Sequence, residues 1–230
     1  MEFHIWEPVY EAILDDFGYP RDGDERARDR FVELLGDDGT YDPASLGLDG
    51  ATVAVAGAGP SLESEANRAA DADVVFAAST AADRLRAESV TVDCMVTDLD
   101  KNADTGRELT AAGTPVVAHA HGDNIPALET YIPTYDSEFV VPTTQAAPAP
   151  PVRSYGGFTD GDRAAFLADH FGAGSLVFPG WDFDDPSVTA EKRRKLRWAE
   201  RLLHWLEQRR GERFDVLDGR RDDIEPVATD

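Results

Sequence analysis

The sequence predicts an α/β protein in which helices cover both faces of a mostly parallel β-sheet, preceded by an N-terminal helical cap. From residue 51 onward, short apolar or β-branched runs alternate with helical stretches. This alternation is typical of parallel strands buried between two layers of helices. Hydrophobic residues make up 42% of the 230 residues, which is enough to form a core despite a net charge of -23. The predicted architecture is Rossmann-like.

The N-terminal segment, residues 1–50, predicts a cap of two helices. Its first apolar side chains recur at helical spacing and stop before Gly18 and Pro20, residues that end helices. These side chains are Trp6, Val9, Tyr10, Ile13, Leu14 and Phe17. A second apolar group ends at Leu35, before Gly36. We expect both helices to pack on the main domain.

The main domain is predicted over residues 51–212. Its predicted strands are Thr52–Gly57, Asp73–Ala78, Val90–Thr97, Pro115–His119, Phe139–Thr143 and Ser175–Pro179. Its predicted helices are Ser61–Ala70, Ala81–Ala87, Ala103–Ala112, Ile125–Tyr131 and Asp162–Phe171. A last, basic helix is predicted from Asp185-Pro186 to Arg210, because proline suits the first helical position. Residues 213–230 are predicted to form an acidic C-terminal tail.

Composition excludes several classes of protein. A single Cys cannot form an intrachain disulfide, and no window approaches the ~20 apolar residues of a membrane span. The N-terminus lacks the basic and apolar regions of a signal peptide, and an acidic surface repels nucleic-acid phosphates. We therefore expect a cytoplasmic protein that binds neither nucleic acid nor membrane. Whether it forms a homo-oligomer stays open.

The kind of basic residue also matters, since only Lys101, Lys192 and Lys195 among the 22 basic residues are lysines. An acidic, lysine-poor chain is the pattern expected of a protein that works in molar intracellular salt. There the repulsion between like charges is screened within ~3 Å. We expect a halophilic source, and we expect most exposed acids to be solvated rather than catalytic.

Small and polar residues follow every predicted strand, and they are the strongest sequence signal for a functional site. Ligands of doubly wound sheets bind beyond the carboxyl ends of the strands, so these residues are expected to converge. In chain order the segments are Gly57–Ser61, Ser79-Thr80, Thr97–Asp100, His119–Asn124, Thr143–Gln145 and Gly180–Asp182.

Two of these segments predict a bound ion. Asp98 and Asp100, at i and i+2 of an extended chain, point to the same side and can share Mg²⁺, which takes one or two carboxylates with phosphate oxygens and water. The alternative is a pair of solvated acids. Gly57 and Gly59 let a ligand approach the backbone, and the next helix offers free N–H groups to an anion. Leu62 replaces the third glycine of the dinucleotide fingerprint, so a tight turn without a ligand is equally expected.

The histidine pair His119 and His121 has several interpretations. The pair could bind zinc, but the sequence offers no Cys partner nearby and no further ligands to complete a zinc site. We favour hydrogen bonds to substrate or phosphate, and a structural histidine is the alternative. Cys94 is expected in the core.

Two further segments contain chemically useful side chains. Gly156–Arg163 places two glycines before an aromatic residue, two carboxylates and a guanidinium at the start of a helix. A turn with a helix N-cap explains part of this pattern. The basic run Lys192–Lys195 is either a surface stripe or a clamp on polyphosphate.

At these residues the sequence resembles the archaeal-type 6-hydroxymethyl-7,8-dihydropterin diphosphokinases, a family similar in fold to the catalytic domain of thiamin diphosphokinases. The similar blocks are Gly57–Leu62, Val96–Asp100, His119–Asn124, Thr143–Gln145, Gly156–Arg163 and Lys195-Leu196. The resemblance implies that a diphosphoryl group passes from ATP to the hydroxymethyl group of a reduced pterin, with Mg²⁺ required and AMP released. This is a step toward tetrahydrofolate or tetrahydromethanopterin.

The candidate site residues receive their expected roles from this chemistry. Asp98 and Asp100 are expected to hold Mg²⁺, and together with His121 and Asp123 they form the catalytic group. The residues expected to bind the phosphates of ATP are Gly57, Gly59, Ser61, Arg193 and Arg194. The residues expected to bind substrate are His119, Asn124, Thr144, Gln145, Phe158, Asp160, Asp162 and Arg163, with Phe158 stacked on the pterin.

One departure from the family pattern and three rival functions stay open. Relatives tend to carry Asp-Gly after the second strand, where this chain has Ser79-Thr80. Any metal or substrate role that the family assigns to that Asp is therefore either missing here or carried by another residue. An Asp-x-Asp after such a strand is also typical of metal-dependent nucleotide-sugar glycosyltransferases. A thiamin diphosphokinase would run the same reaction on a different acceptor, and a non-catalytic nucleotide-binding module could use the same fold.

Overall fold

Six parallel strands form a single sheet at the centre of the protein. The structure is a computed structural model, and it describes residues 1–227. The strands are β1 (Thr52–Ala56), β2 (Val74–Ala78), β3 (Cys94–Thr97), β4 (Val116–Ala120), β5 (Val140–Thr144) and β6 (Ser175–Val177). Their order across the sheet is β5-β4-β3-β2-β1-β6, and every pairing is parallel. The predicted fold class is confirmed.

Eight α-helices surround the sheet in the described part of the chain. They are α1 (Phe3–Phe17), α2 (Arg21–Leu35), α3 (Ala66–Ala70), α4 (Ala81–Ala87), α5 (Ala103–Ala111), α6 (Ile125–Tyr131), α7 (Asp160–His170) and α8 (Ala190–Arg210). The predicted start of the last helix at Pro186 is wrong, because the Thr189 hydroxyl accepts from the backbone N–H of Lys192 and caps the helix there. None of the described helices is both long and apolar enough to cross a bilayer.

The strands bury alternate side chains on the two faces of the sheet, as their period of two requires. Val53 and Val55 of β1 face a core formed with α1, α7 and α8, whereas Ala54 and Ala56 face a core formed with α2 to α6. The two N-terminal helices therefore lie on opposite faces of the sheet. The chain divisions at residues 50 and 212 stay predictions.

The segment after α8 continues into the core. Phe214 and Leu217, within the predicted acidic tail, are buried against the α8 face of the sheet. Residues 228–230 of that predicted tail lie outside the described residues. From β1 to β5 the chain steps along the sheet in order, and α7 then returns it to β6 beside β1. All six carboxyl ends consequently open at one edge.

Candidate active site

A cleft of about 630 Å³ lies at the carboxyl ends of the strands. It is lined by loops that follow the strands and by the first turns of α2, α7 and α8. The predicted site residues that line it are Gly57, Gly59, Asp98, Asp100, His121, Asp123, Gln145, Phe158, Asp160 and Arg163. Predicted site residues separated by up to 106 positions in the chain, from Gly57 to Arg163, are thus brought to one cavity.

A left-handed turn presents Asp98 and Asp100 to the cleft. The i, i+2 spacing predicts an extended chain at this point, and that prediction is wrong. The chain turns instead, because β3 ends at Thr97 and Leu99 has φ +66°. The Leu99 N–H donates to Thr97 Oγ1 over 3.0 Å and its side chain is buried. A left-handed conformation at a bulky residue is costly, so packing of Leu99 holds the two carboxylates on one side.

Two nitrogen-bearing side chains lie close to the Asp98 carboxylate. His121 Nε2 lies 3.6 Å and Arg163 Nη1 lies 4.0 Å from Asp98 Oδ2. Burial opposes ionisation, but the nearby His121 ring and the charge of Arg163 outweigh it and hold the pKa of Asp98 well below its usual range. Burial and the adjacent Asp98 raise the pKa of Asp100. Of the two carboxyl groups, Asp98 is therefore the one that ionises more readily.

Asn124 connects the loops that follow β3 and β4. Its side-chain N–H groups donate to the carbonyls of Asp98 over 2.7 Å and His119 over 2.6 Å, and its Oδ1 accepts from the His121 N–H over 3.0 Å. Because its amide is buried and fully used, Asn124 orients Asp98 and His121. It does not line the cleft, although the sequence predicts a contact with substrate.

His119 and Thr144 are also buried rather than exposed to the cleft. His119 Nδ1 lies 3.0 Å from Thr143 Oγ1, and only 2% of the residue is exposed. Burial, with the nearby positive charge of Arg163, lowers the pKa of His119 well below its usual value. Thr144 donates its N–H to the Arg153 carbonyl over 2.8 Å. Both residues shape the end of the sheet, which differs from their predicted contact with substrate.

The glycine-rich loop before α7 positions Arg163. Gly157 has φ +94°, and a Cβ there would lie 2.6 Å from the Cα of Arg163, so glycine is required by close backbone approach. The Asp162 carboxylate accepts from the N–H groups of Phe158 and Thr159 and from the Thr159 hydroxyl. Asp162 therefore caps the N-terminus of α7. It does not line the cleft, although the sequence predicts a contact with substrate.

Asp160 and Phe158 do face the cleft. Asp160 Oδ1 lies 3.0 Å from Arg163 Nη1, and burial together with the Asp98 charge raises the pKa of Asp160 well above its usual value. Phe158 is mostly buried, with its ring 5.2 Å from that of Phe17. Tyr19, which no sequence pattern singled out, is a more exposed ring in the same cavity.

The glycine turn after β1 packs against the loop after β6. The Gly57 N–H donates to the Pro179 carbonyl over 2.9 Å and the Gly59 N–H to the Gly180 carbonyl over 2.8 Å. Ser61 donates both its N–H (2.9 Å) and its hydroxyl (2.8 Å) to Asp182 Oδ2. These predicted phosphate donors have partners within the protein, while Gly57 and Gly59 still line the cleft.

The basic run on α8 divides between two environments. Lys192 and Lys195, three residues apart and hence on one helix face, line the cleft. Arg194 instead contacts Asp16 of α1 over 2.8 Å and lies over the ring of Phe17, and Arg193 is exposed outside the cleft. The predicted phosphate contacts of Arg193 and Arg194 are therefore not supported by their positions.

Asp24 of α2 is a cleft residue that the sequence pattern did not reveal. This buried carboxylate accepts from Tyr10 Oη (2.8 Å), Gln145 Nε2 (2.8 Å) and the Gly122 N–H (2.7 Å). Gln145 Oε1 in turn lies 3.4 Å from Arg163 Nη2. A signal was present in the sequence, because Asp24 shares helical spacing with the apolar Ala27 and Phe31 of α2.

Asp98 and Asp100 provide a donor set that fits Mg²⁺. Among residues 1–227 no three His, Cys, Asp or Glu side chains form a ready-made metal cluster. Magnesium does not require one, because it binds one or two carboxylates and completes its shell with water and substrate phosphates. The ionised Asp98 and the adjacent Asp100 offer such oxygen ligands at the wall of an open cleft.

The fold and the cleft together are those of an α/β protein that binds a phosphorylated ligand at the carboxyl ends of its strands. Parallel strands that carry carboxylates, an arginine and lysines at their carboxyl ends are typical of sites for phosphorylated ligands.

Comparison with known proteins identifies the family within that class. A family model described as 6-hydroxymethylpterin diphosphokinase MptE-like matches residues 41–187. Relatives named 6-hydroxymethyl-7,8-dihydropterin pyrophosphokinase are 38% identical in Methanothermobacter thermautotrophicus (90% of this chain, 96% of the relative) and 34% identical in Pyrococcus furiosus (90% and 94%). A third, from Methanocaldococcus jannaschii, is 30% identical (91% and 97%). The chain belongs to the MptE-like 6-hydroxymethylpterin diphosphokinase family.

Proposed function

We propose that this protein transfers the diphosphoryl group of ATP to the hydroxymethyl group of 6-hydroxymethyl-7,8-dihydropterin, giving AMP and the pterin diphosphate. The hydroxymethyl oxygen bonds to the β-phosphorus, the bond from that phosphorus to the α,β-bridging oxygen breaks, and the hydroxyl proton is released. Family membership along nearly the whole chain supports the reaction. The single structural observation that carries it is the convergence of Asp98, Asp100, His121 and Arg163 in one cleft.

The carboxylates Asp98 and Asp100 would hold Mg²⁺ in this function. Bound there, the ion neutralises phosphate charge, which is the main requirement of phosphoryl-type transfer. His121 keeps Asp98 ionised and oriented, since its Nδ1 accepts from the Asp123 N–H and leaves the Nε2 proton facing Asp98. Arg163 supplies a fixed positive charge beside both Asp98 and Asp160.

The acceptor pterin would occupy the part of the cleft near α1, α2 and the start of α7. Gln145 and Asp160 offer amide and carboxyl groups for the polar edge of the heterocycle, and Phe158 and Tyr19 offer rings for its faces. Asp123 lies at the rim and is a candidate to orient the hydroxymethyl group. The product would serve a pathway to tetrahydrofolate or tetrahydromethanopterin. The use of ATP agrees with the cytoplasmic location expected from the sequence.

Incubation with ATP, Mg²⁺ and the dihydropterin in high salt tests the reaction. We expect equal amounts of AMP and pterin diphosphate. Thiamin offered as acceptor and nucleotide-sugars offered as donors separate the rival enzymes, and ATP binding without AMP release would indicate a non-catalytic module.

Asp98→Asn tests the metal-binding carboxylate. Removing this charge is expected to slow AMP formation by about 10²–10³-fold, the range found when an electrostatic contact to the transition state is lost. The exposed Asp38→Asn removes the same charge outside the cleft and should leave the rate unchanged. A rate for Asp98→Asn within about threefold of wild type would refute the assignment.

A further inference from the structure

All three lysines of the chain line the same cleft. The sequence contains 19 arginines and only Lys101, Lys192 and Lys195. Lys101 follows Asp100 in the loop after β3, and the other two lie in the first turns of α8. Three separate occurrences of lysine rather than arginine at one cavity indicate a shared chemical requirement.

The lysines differ from the arginines in what they contact. Arginines are tied to carboxylates across the described surface; Arg21, for example, contacts Glu7 over 2.7 Å and Glu25 over 3.1 Å. Within residues 1–227, Lys195 is the only lysine with a carboxylate within 4.0 Å, the exposed Glu191 at 3.7 Å. A guanidinium suits a fixed carboxylate, whereas an ammonium on a flexible stem can follow phosphate oxygens that move during transfer.

The turn after β1, where a phosphate was expected, is already filled by the protein. Asp182 Oδ2 accepts both donors of Ser61, and a Cβ at Gly59 would contact Asp182 and approach the Gly180 carbonyl at 2.7 Å. A phosphate at this turn would have to displace a carboxylate that already carries the negative charge. The three lysines form the opposite case, called here the lysine wall: among the described residues, Lys101 and Lys192 have no carboxylate within 4.0 Å, and Lys195 has only the exposed Glu191.

The lysine wall also adjoins the carboxylates proposed to hold Mg²⁺. Lys101 directly follows Asp100 in the chain, and Lys192 and Lys195 line the same cleft as Asp98 and Asp100. A polyphosphate bound by the lysines would therefore lie in the cavity that also contains the proposed metal ligands.

We infer that Lys101, Lys192 and Lys195 form the binding site for the triphosphate of ATP, in place of the glycine turn and of Arg193 and Arg194. This inference rests on the proposed function, because ATP supplies the triphosphate. The first turns of α8 contribute their N-terminal backbone dipole to the same charge.

The test uses the full-length protein and binding rather than turnover. Lys101→Gln, Lys192→Gln and Lys195→Gln are titrated with ATP, inorganic tripolyphosphate and adenosine by calorimetry at one fixed salt concentration. Each variant is expected to bind ATP and tripolyphosphate about tenfold more weakly, the value of one charge-assisted hydrogen bond, and to bind adenosine as wild type does. Arg197→Gln, exposed on the same helix outside the cleft, is the matched control.

The outcomes separate this inference from the proposed function. Unchanged tripolyphosphate affinity in all three lysine variants would overturn the lysine site, and so would an equal loss of adenosine affinity. Lysine-dependent tripolyphosphate binding by a protein that forms no pterin diphosphate would support the site while refuting the proposed reaction. Thermal unfolding of each variant confirms that the titrated protein is folded.

Discussion

Asn124 shows how a single buried amide can organise a site that it does not enter. Its three hydrogen bonds join the backbone beside Asp98, His119 and His121. Two loops that follow neighbouring strands are thereby held at one distance, and the 3.6 Å approach of His121 to Asp98 depends on that distance.

Substitution of Asn124 by alanine should therefore affect stability and activity together. Leaving the three backbone groups without partners is expected to lower the free energy of unfolding by about 2–3 kcal/mol. AMP formation should fall by about 10²-fold, because small displacements of a catalytic group cost that much. Urea unfolding and steady-state rates check both values. The exposed Asn67→Ala should change neither, and normal activity in Asn124→Ala would contradict the orienting role.

His119 predicts a pH-dependent contribution to stability. Burial lowers its pKa in the folded protein, so below about pH 6.5 the unfolded chain binds a proton that the folded chain does not. Stability from this residue is thus complete above about pH 6.5 and lost as the pH falls. Between about pH 7 and pH 5.5, wild type should lose about 1 kcal/mol more than His119→Gln. The exposed His4→Gln should parallel wild type, and parallel curves for His119→Gln would refute the argument.

At the scale of elements, α2 and the loop before α7 determine the shape of the cleft. Asp24 of α2 fixes the amide of Gln145, which faces Arg163 at the start of α7. The N-terminal helices are therefore connected to Arg163 in the cleft through a continuous set of hydrogen bonds. A helix that only covered the sheet would not need a buried carboxylate.

Gly157→Ala tests the loop before α7. The added methyl group would lie 2.6 Å from the Arg163 Cα at a backbone φ of +94°, so the start of α7 must shift. We expect a stability loss of about 1–3 kcal/mol and a lower kcat, since Arg163 and Asp160 move together. Gly39→Ala, with open space around it and no positive φ, is the control. Unchanged kcat in Gly157→Ala would show that the position of Arg163 is not critical.

The whole molecule carries its charge at the surface. No large hydrophobic side chain is exposed among residues 1–227, whereas acids and paired arginines cover the surface. Each exposed ion pair contributes about 0–1 kcal/mol and weakens in salt. The repulsion of a net charge of -23 acts over the whole surface and also weakens in salt. We expect this larger effect to determine how stability changes with salt concentration.

Stability should consequently rise with salt concentration. Between about 0.1 M and several molar KCl, the Debye length falls from about 10 Å to below about 3 Å, and the repulsion between surface acids is removed. Unfolding midpoints measured across this KCl series are expected to increase into the molar range. Full stability at ~0.1 M salt would refute the halophilic interpretation of the composition.

The order of strands and helices could be predicted from the amino-acid sequence, because the two-residue and 3.6-residue periods of buried side chains are local. The sequence also determined that polar residues follow each strand and, through its motifs, the family. Only the tertiary structure decided which of these residues face the cleft. The structure buries His119, Asn124 and Asp162 away from the cleft, whereas Lys192 and Asp24 line it. The physical reason is that hydrogen-bond partners come from distant loops, and a local pattern cannot specify which donors those loops already occupy.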